Sequence, residues 1–572
     1  MRVTLGAVSL LIWIGCGGGG ELAPQPLVAD PAVQTGCATA RPGAGESRAK
    51  PIACVDELPQ GRLVSGRVGD FLLENDRIQI VVRGFGEGYY LMGTKPGGIV
   101  DAARHGATDQ IKEVLPVFGL KGGAFDELVI TEAGDDGPAE LVVRGRLEPV
   151  PFVESAVATG NLHAIVEQHY ILEPDTDALL IRTFVFPDDS AASSEANVEI
   201  GEALFFGGVI NSWAPGKGVP AGASSVEFIA STGAGGTSYG VIYPVGKPAA
   251  AQFADIANVK LILGPSRTIG NPEPVERWFV VGDGSAASVT ERGWALRDLE
   301  LGVVQGMTAA GVDIAVTADD KPITIGRADD TGAYRIALPA GTYELTATSP
   351  ARAAGTPSTV TVAGGGEVTA DLAAGATGTL SLSVTDGVGP VPARVVIRDA
   401  NGVLERRIEY AGPDGALELG LPVGSYIVDV SRGMEYDAFT VDPLTIGDGQ
   451  TEVVAATLNH VLDTAGWISL DTHIHSEMST DSQVPLDVRL RSIAAEGVEV
   501  PISTDHDFVT DYTPVIAELG LQSWLTAQAG SEASSLVWGH VNSWPMVPDY
   551  DRGAGGAVPW YQRSPGQVYG LM

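Results

Sequence analysis

The chain has 572 residues, which is too many for a single hydrophobic core, so about three or four domains are expected. Hydrophobic residues make up 44% of it, which excludes wholesale disorder, while 74 glycines, 36 prolines and only 6% aromatic residues favour short strands and turns over long helices. The formal net charge of −36, with no basic stripe to offset it, excludes nucleic-acid binding because such a surface repels a phosphate backbone.

Residues 1–16 are typical of an export signal. Arg2 supplies a positive start, and the apolar run that follows is shorter than the roughly 20 residues that cross a bilayer. Its end, "WIGC", resembles a bacterial lipobox, although Trp13 stands where that pattern prefers Leu. The resemblance implies lipidation of Cys16 and a lipoprotein anchored in the outer membrane or cell envelope, on its periplasmic or surface face. Plain secretion and an uncleaved membrane anchor are the alternatives.

Residues 17–54 have the composition of a flexible linker, beginning with "GGGGELAPQP". Besides Cys16, the chain has two cysteines, Cys37 and Cys54. In an oxidising compartment they are expected to pair and close a short loop; two free thiols are the alternative.

Residues 55–300 alternate apolar and polar side chains in short runs separated by Gly, Asp-Gly and Pro, which predicts a large all-β domain of the sandwich type. His163 and His169 lie six residues apart in one such run, where alternation puts them on one face. No acidic residue converges on them in the sequence pattern, so both are interpreted as structural. The sequence assigns this domain no chemistry of its own.

An internal repeat follows, with four matches at one offset of 83 residues. Each copy has an Asp-Gly type of turn, an alternating strand, a Pro-x-Gly turn and a Tyr that begins the next strand. The matched pairs are Gly332 and Gly415, Pro339 and Pro422, Gly341 and Gly424, and Tyr343 and Tyr426. The copies resemble the carboxypeptidase regulatory-like (prealbumin-like) β-sandwich. This implies two such domains, 301–375 and 376–460, with a structural role or a role in binding a glycan or an envelope protein.

From 461 to 572 the pattern changes, and apolar strand-like runs alternate with segments of helical spacing. "WISLDTHIH" precedes the helical "PLDVRLRSIAAEG", and "VEVPISTDHD" precedes the helical "YTPVIAELG". Strand–helix–strand order predicts a parallel α/β unit, either a barrel or a doubly wound sheet.

Metal-ligand residue types cluster where these strands end. His473 and His475 are at i and i+2, so on a strand both imidazoles lie on one face. His506 follows the run "VPIS", Glu532 follows "LTAQAG", and His540 lies in "WGHVN". Because the carboxyl ends of parallel strands share one edge of a sheet, these side chains are expected to converge on divalent metal.

In this order, the motifs "DTHIHSEMSTDSQVPLDVR", "STDHDFVTDY", "GSE" and "GHVN" resemble the polymerase and histidinol phosphatase (PHP) superfamily of metal-dependent hydrolases, closest to its carbaryl-hydrolase-like branch. The resemblance implies a distorted TIM-type barrel and up to three divalent ions, Zn, Mn or Fe. It makes His473, His475 and Glu532 ligands of one ion. Glu532 would bridge to a second ion bound by His540, and Asp481 and His506 would serve a third.

The resemblance also implies a function. Asp505 and Asp507 flank His506 and would orient it. A metal-activated water would hydrolyse a small-molecule phosphoester, or a carboxyl or carbamate ester. Members of that superfamily supply further ligands from a later histidine and a terminal Asp-x-His, and none follows His540. A partial barrel with weak metal binding and little or no activity is therefore expected.

The sequence thus predicts a multidomain, mostly β protein: a large β-sandwich-type domain and two prealbumin-like β-sandwiches, followed by a partial α/β barrel. The leading functional hypothesis is an exported lipoprotein that displays an incomplete PHP-type hydrolase. One alternative is a non-catalytic envelope lipoprotein that binds glycan or protein and carries a PHP remnant. Another is a structural envelope protein with fortuitous histidines.

Overall fold

The computed structural model describes residues 23–86, 96–150, 162–188, 196–208, 210–218, 224–233, 236–247, 249–254, 259–400, 405–535, 538–552, 554–560 and 563–572. All structural statements below concern these residues. The export signal and Cys16 lie outside them. No helix in these ranges combines the length and the apolar character that crossing a membrane requires.

The N-terminal part of the chain is one continuous network of seventeen strands, all paired antiparallel. The strands are β1 Ser47–Pro51, β2 Phe71–Asn75, β3 Ile78–Val82, β4 Ile99–Arg104, β5 Ile111–Phe118, β6 Lys121–Asp135, β7 Ala139–Pro149, β8 Ile165–Leu172, β9 Ala178–Phe186, β10 Asn197–Phe206, β11 Asn211–Trp213, β12 Ser224–Val226, β13 Phe228–Thr232, β14 Ser238–Ile242, β15 Ala249–Ala254, β16 Val259–Thr268 and β17 Val275–Gly282.

This network is the large β domain, and an apolar cluster drawn from nearly all of its strands forms the main part of its core, with two smaller clusters beside it. Alternation explains the strands: in β9, "ALLIRTFVF", buried and half-buried positions alternate through the strand centre. The domain begins earlier than predicted, because β1, inside the segment predicted to be a linker, pairs with β2 and β6. Cys37 and Cys54 form a disulfide across this first segment.

Helix α1, Ala286–Ala295, joins the large β domain to the next unit. The hydroxyl of Ser285 caps it by accepting a hydrogen bond from the backbone N–H of Ser288. The helix buries Val289 and Trp294 in an apolar cluster that spans the large sheet and the following sandwich. The two units therefore share a core at this point.

The two copies of the repeat each fold into a three-stranded and a four-stranded sheet with the same order. The first copy has β18 Leu301–Met307, β19 Asp313–Ala318, β20 Lys321–Arg327, β21 Ala333–Pro339, β22 Gly341–Thr348, β23 Ser358–Val362 and β24 Glu367–Thr369. The second has β25 Thr377–Thr385, β26 Ala393–Asp399, β27 Glu405–Ala411, β28 Ala416–Pro422, β29 Gly424–Ser431, β30 Phe439–Ile446 and β31 Thr451–Thr457.

In each copy the two sheets face one another across a core of alternating apolar residues. Strand β26, "ARVVIRD", buries Ala393, Val395 and Ile397 and leaves the residues between them partly exposed. The multidomain, mostly β architecture predicted from the sequence is thus confirmed.

The C-terminal region, residues 461–572, contains short elements and two small sheets. They are β32 Leu470–Ile474, α2 Leu486–Ala495, β33 Val500–Ser503, α3 Thr513–Glu518, β34 Ser531–Ser535, β35 Gly539–Ser543 and α4 Pro565–Tyr569. Strand β32 pairs in parallel with β33, and β34 pairs antiparallel with β35. Both helices expected from the sequence form, and α2 buries Leu486, Leu490 and Ile493.

The prediction of a TIM-type barrel, even a partial one, is wrong. A barrel of this kind is a ring of parallel strands, each covered by a helix. In the described part of 461–572, two strands form one parallel pair, and the next two form an antiparallel hairpin. The motifs predicted β32 and β33, but the run "LTAQAG" is not a strand and β34 begins after it. Neighbouring strands close a barrel only if every strand pairs on both edges.

Candidate metal centre

Four strands and the loops that follow two of them bring the predicted ligands to one place. His473 lies in β32 and His475 directly after it, whereas His506 follows β33. Glu532 lies in β34 and His540 in the facing strand β35. An isolated parallel bridge between His506 and Glu532 links the two small sheets. The backbone therefore brings together residues that are up to 67 positions apart. The expected placement at carboxyl ends of strands applies to His473, His475 and His506, whereas Glu532 and His540 are the second residues of β34 and β35.

Glu532 is the centre of the cluster. Its Oε2 lies 3.2 Å from Nε2 of His475, 3.1 Å from Nδ1 of His506 and 3.5 Å from Nε2 of His473. Its Oε1 lies 3.7 Å from Nδ1 of His540. One carboxylate thus faces all four histidines.

Asp481 closes the other side of the cluster. Its Oδ1 lies 2.8 Å from Nδ1 of His475, and its Oδ2 lies 3.2 Å from Nε2 of His506. The Ser479 hydroxyl donates to Oδ1 at 2.7 Å and accepts a hydrogen bond from the backbone N–H of His506. The loop after β32 is therefore held in the position that places Asp481 between two histidines.

Three overlapping triads of potential ligand atoms result, and the atoms of each triad lie within 4.8 Å of one another. The first joins His473, His475 and Glu532; the second joins His475, Asp481 and His506; the third joins His506, Glu532 and His540. These groups use the same six residues that the sequence singled out.

Two buried atoms of the cluster are held by ion pairs alone and have no partner in hydrogen-bond geometry in the described ranges. They are Nε2 of His475 and Oε2 of Glu532, which lie 3.2 Å apart. A buried polar atom without a partner is costly, so both atoms fit a site in which a cation lies between them. Neutral imidazole and carboxylate are the donors that zinc, iron and manganese take.

The metal-free cluster is held together as a network of ion pairs. Burial alone would lower the pKa of His475, but the ion pairs with Asp481 and Glu532 outweigh it and raise that pKa to about 9. Burial favours the protonated form of Asp481, yet hydrogen bonds from His475 and His506 hold its pKa well below its usual range. Glu532 behaves in the same way, with its pKa lowered by His475 despite burial.

Asp505 and Asp507 flank His506 and are fully buried, but they bond to backbone and side-chain donors rather than to its ring. Asp505 accepts from the backbone N–H and hydroxyl of Ser476 and from the Thr510 hydroxyl. Asp507 accepts from the backbone N–H of Ser534 and from Nε1 of Trp560. Burial raises the pKa of both carboxyls. They fix the loops that carry His475 and Glu532, so their effect on the His506 ring is indirect.

The cluster borders a cavity of about 500 Å³, lined by Asp471, His473, His475, Asp481 and Arg489 among others. His473 is the most open of the potential ligands, with 54% of its side chain exposed, whereas Glu532 is nearly buried. A small solute therefore reaches the cluster from the side of His473.

The other histidines lie apart from the cluster. His460 packs against Tyr436 and forms an ion pair with Glu435 at 3.2 Å. His163 is exposed and lies outside the strands. The expectation that no acid converges on His169 is wrong, because its ring lies 2.9 Å from both Glu140 and Glu167.

The sequence reasoning missed the contribution of the large β domain to this centre. Leu63 packs in one apolar cluster with Met478, Phe508 and Val509 of the C-terminal region. Lys112 of β5 is buried, and Asp505, Glu477 and Asp481 of the C-terminal region oppose the lowering of its pKa that burial causes. A Lys-Glu pair inside an otherwise apolar strand was visible in the sequence, but the distant groups that surround the lysine were not.

Comparisons with known proteins give no family for this chain. No family model matches it, and no curated protein matches it. Among solved structures, the shaft pilin SpaA from Lactobacillus rhamnosus GG is 12% identical, with a TM-score of 0.19 over 28% of this chain and 98% of the pilin. The Bacillus anthracis TIE protein is 12% identical, with a TM-score of 0.14 over 67% of this chain and 58% of that protein.

A streptococcal ancillary pilin is 15% identical, with a TM-score of 0.18 over 37% of this chain and 80% of the pilin. Scores this low carry no conclusion about function. The assignment to the PHP superfamily is nevertheless corrected: the mostly β chain has no barrel of that superfamily in its described residues, and no family model supports the assignment. The hydrolase activity that the resemblance implied loses its basis with it.

Proposed function

We propose that this chain is an exported, non-catalytic protein of the cell envelope whose C-terminal region binds divalent transition metal. One observation carries the metal-binding part: the buried Nε2 of His475 and Oε2 of Glu532 face each other at 3.2 Å without a hydrogen-bond partner in the described ranges. Buried imidazole and carboxylate atoms that face each other without a hydrogen bond are suited to share a cation.

The spacing of the donor atoms supports the same proposal. Metal–ligand bonds of about 2.0–2.2 Å place neighbouring ligand atoms about 3.0–3.5 Å apart in tetrahedral or octahedral geometry. The separations of Glu532 Oε2 from its three nearest histidine nitrogens are 3.1, 3.2 and 3.5 Å. Zn, Mn or Fe fits the imidazole and carboxylate donors, and the three triads offer up to three positions.

When bound, such an ion supplies a positive charge that replaces the protons of the histidines. His475, His506 and Glu532 would hold it most firmly, because each belongs to two triads. Each triad would be completed by one further ligand: His473, Asp481 or His540. The hydrogen bonds of Asp505 and Asp507 would hold in place the loops that carry His475 and Glu532.

Export is supported by the disulfide between Cys37 and Cys54, since such bonds form in oxidising compartments. A lipid anchor on Cys16 remains a proposal drawn from the sequence. It is checked by fractionating cells that express the native chain or Cys16→Ser: the native chain should sediment with membranes, and the variant should not.

A glycan or envelope protein bound by the β domains is the second part of the proposal. A cavity of about 560 Å³ lies where the large β domain meets the first sandwich, lined by Trp213, Asn211, Asp313 and Arg327 among others. Nε1 of Trp213 donates to the carbonyl of Ile323, which fixes its ring. An aromatic ring with a few polar groups is a common lining for a binding site. Loss of binding to isolated envelope glycan in Trp213→Ala would support this part.

The metal site is tested by metal content. The native chain and the His475→Ala variant are loaded with Zn²⁺ or Mn²⁺, desalted and analysed by mass spectrometry. The variant should lose at least half of the bound metal, because His475 belongs to two triads. His163→Ala, an exposed histidine of the large β domain, is the matched control and should retain the native content.

Equal metal content in all three proteins would exclude the proposed site. Assays with generic phosphate and carboxyl esters test the non-catalytic part. Turnover by the loaded native chain that disappears in His475→Ala would overturn that part while leaving the metal site in place.

A further inference from the structure

The disulfide between Cys37 and Cys54 lies next to a buried ion pair. Its two sulfur atoms and a carboxylate oxygen of Glu57 lie within 4.8 Å of one another. Glu57 forms an ion pair with Nζ of Lys50, and both side chains are 0% exposed. Cys37 itself is exposed. A redox-active bond that solvent reaches therefore adjoins two charges that solvent does not reach.

The short segment 36–40, which we call the strap, supplies hydrogen bonds to both buried charges. Nζ of Lys50 donates to the carbonyl of Gly36 at 2.5 Å. Oε1 of Glu57 accepts a hydrogen bond from the backbone N–H of Ala38 at 2.7 Å. Because a buried charge is stable only when hydrogen bonds replace its hydration, the strap helps to keep this ion pair inside the domain.

Strand β1 directs a second cation at the strap. Arg48 and Lys50 are two residues apart and lie on one face of β1, whereas Ala49 between them belongs to the main apolar cluster. Nη2 of Arg48 donates to the carbonyl of Ala40 at 2.7 Å, and its Nε donates to Oε1 of the buried Glu74 at 3.0 Å. The strap therefore covers the charged face of β1.

The chain on either side of the strap is held by contacts that do not involve the disulfide. Before the strap, the backbone N–H of Asp30 donates to the carbonyl of Ile130 at 3.0 Å, and Oδ2 of Asp30 accepts from the backbone N–H of Ala133 at 2.7 Å. After the strap, the backbone N–H of Gly45 donates to Oδ1 of Asp175 at 2.9 Å, and β1 pairs with β2 and β6. Breaking the disulfide should therefore release the strap and leave both flanks in place.

We propose that the bond between Cys37 and Cys54 is a redox lock. In its oxidised form it holds the strap over Lys50 and Glu57, and its reduction opens the strap while the rest of the large β domain stays folded. The two cysteines are 17 positions apart, and breaking the bond restores the freedom of the loop between them. The strap is then held by its hydrogen bonds alone, for which water competes. This proposal does not rest on the proposed metal site.

The opening step is a thiol–disulfide exchange with a dithiol, either a small molecule or a dithiol protein. One thiolate of the dithiol attacks the exposed sulfur of Cys37, and Cys54 leaves as a thiolate and takes up a proton. The second thiol of the dithiol then closes its own disulfide and releases Cys37 as a thiol. Two electrons and two protons pass from the dithiol to the two cysteines, and an oxidised dithiol reverses the step.

The first experiment measures access to the Lys50 amine. The full chain, kept in EDTA, is acetylated with an amine-specific reagent before and after treatment with dithiothreitol, and labelling is measured by mass spectrometry. Reduction should accelerate labelling of Lys50 about tenfold, because the strap no longer covers it. Lys121 is the internal control and should label equally slowly in both states. It is also buried, but it begins β6, whose other end pairs with β1.

Two results of this experiment would overturn the proposal. If Lys50 is labelled at the same rate before and after reduction, the disulfide does not control the strap. If reduction accelerates the labelling of Lys50 and Lys121 alike, the bond holds the whole domain together and is not a local lock.

The second experiment uses a variant that lacks the bond, Cys37→Ser with Cys54→Ser. Labelling of its Lys50 should be fast with or without dithiothreitol, which ties the effect to this disulfide. Acceleration by dithiothreitol in this variant would show another origin and contradict the lock. In the native chain, hydrogen exchange should become about tenfold faster after reduction in peptides that cover the strap and stay unchanged in the second sandwich. Unchanged exchange in the strap would also contradict the lock.

Discussion

At the scale of single residues, buried ionisable side chains determine how the stability of the folded protein changes with pH. Glu113 is buried in β5, and its Oε1 has no hydrogen-bond partner in the described ranges. Burial raises its pKa to about 8, with Arg83 acting in the opposite direction. The unfolded chain has the ordinary value of 4.5, so the folded state retains a proton that the unfolded state loses between these two values.

Replacing Glu113 by Gln should remove this pH dependence. A folded-state pKa above the unfolded value contributes stability that is full below pH 4.5 and is lost as pH rises to about 8. Relative to the native chain, Glu113→Gln should be of similar stability at pH 4.5 and more stable by a few kcal/mol at pH 8.5. Urea unfolding at both pH values measures the difference. A difference that stays constant with pH would contradict the assigned pKa.

His169 shows why such effects are hard to read from sequence. Its partners Glu140 and Glu167 lie on β7 and on β8 itself, and Glu140 approaches only because the two strands pair antiparallel. Burial would lower the pKa of His169, but the two carboxylates outweigh it and raise the pKa. The histidine can be seen in the sequence, but only the antiparallel register of β7 and β8 brings the Glu140 carboxylate to its ring.

At the scale of elements, the two copies of the repeat, offset by 83 residues, contain the same hydrogen-bonded turn. The Tyr343 hydroxyl donates to the carbonyl of Pro339 at 2.9 Å, and the Tyr426 hydroxyl donates to the carbonyl of Pro422 at 2.8 Å. Each tyrosine thus closes the Pro-x-Gly turn that precedes it. The sequence predicted the turns and strands of both copies, and this shared hydrogen bond explains why the proline and the tyrosine have the same spacing in each copy.

Removing the two tyrosine hydroxyls should lower the free energy of unfolding of the two sandwiches equally and independently. Tyr343→Phe and Tyr426→Phe should each lower the free energy of unfolding of its own sandwich by about 1 kcal/mol, the typical net value of one hydrogen bond. The double variant should lose the sum, because the two turns lie in different domains. Urea unfolding followed by fluorescence measures the losses. A much larger loss in one copy than in the other would show that the two turns are not equivalent.

The C-terminal elements show where element-level prediction ends. Helices α2 and α3 form where helical spacing predicted them, because apolar residues three and four positions apart need only a local surface to pack against. The barrel does not form in the described residues, because strand pairing depends on segments far away in sequence. Local motifs therefore predicted these helices correctly and the assembly of the strands incorrectly.

At the scale of the whole molecule, the domains are joined by buried contacts rather than by linkers alone. Arg432 of the second sandwich is 6% exposed and donates through Nη1 to the carbonyls of Pro392 and Ala494, the latter in helix α2. Its guanidinium lies 4.6 Å from the ring centroid of Trp524 and 5.5 Å from that of Tyr436. One side chain thus couples the second sandwich to the C-terminal region.

Arg432→Met should uncouple the two units. The variant keeps an apolar stem but leaves two buried carbonyls without this donor and removes the cation–π contacts, at a cost of about 2–3 kcal/mol. Limited proteolysis should then cleave the C-terminal region several-fold faster than in the native chain. Arg398→Met, which removes an ion pair with Asp429 in the same sandwich, is the control and should change little. Unchanged proteolysis in Arg432→Met would exclude the coupling.

The sequence by itself determined the mostly β architecture, the repeat and the six potential metal ligands, because alternation, turn residues and ligand types are local properties of the chain. Only the tertiary structure decided that the strands after Trp467 form two small sheets in the described residues, and that Leu63 of the large β domain packs against the C-terminal region. Sheet register and domain contact join residues hundreds of positions apart, and no local pattern encodes such pairings. Those long-range pairings determine which charges surround Glu532, and therefore what the cluster can bind.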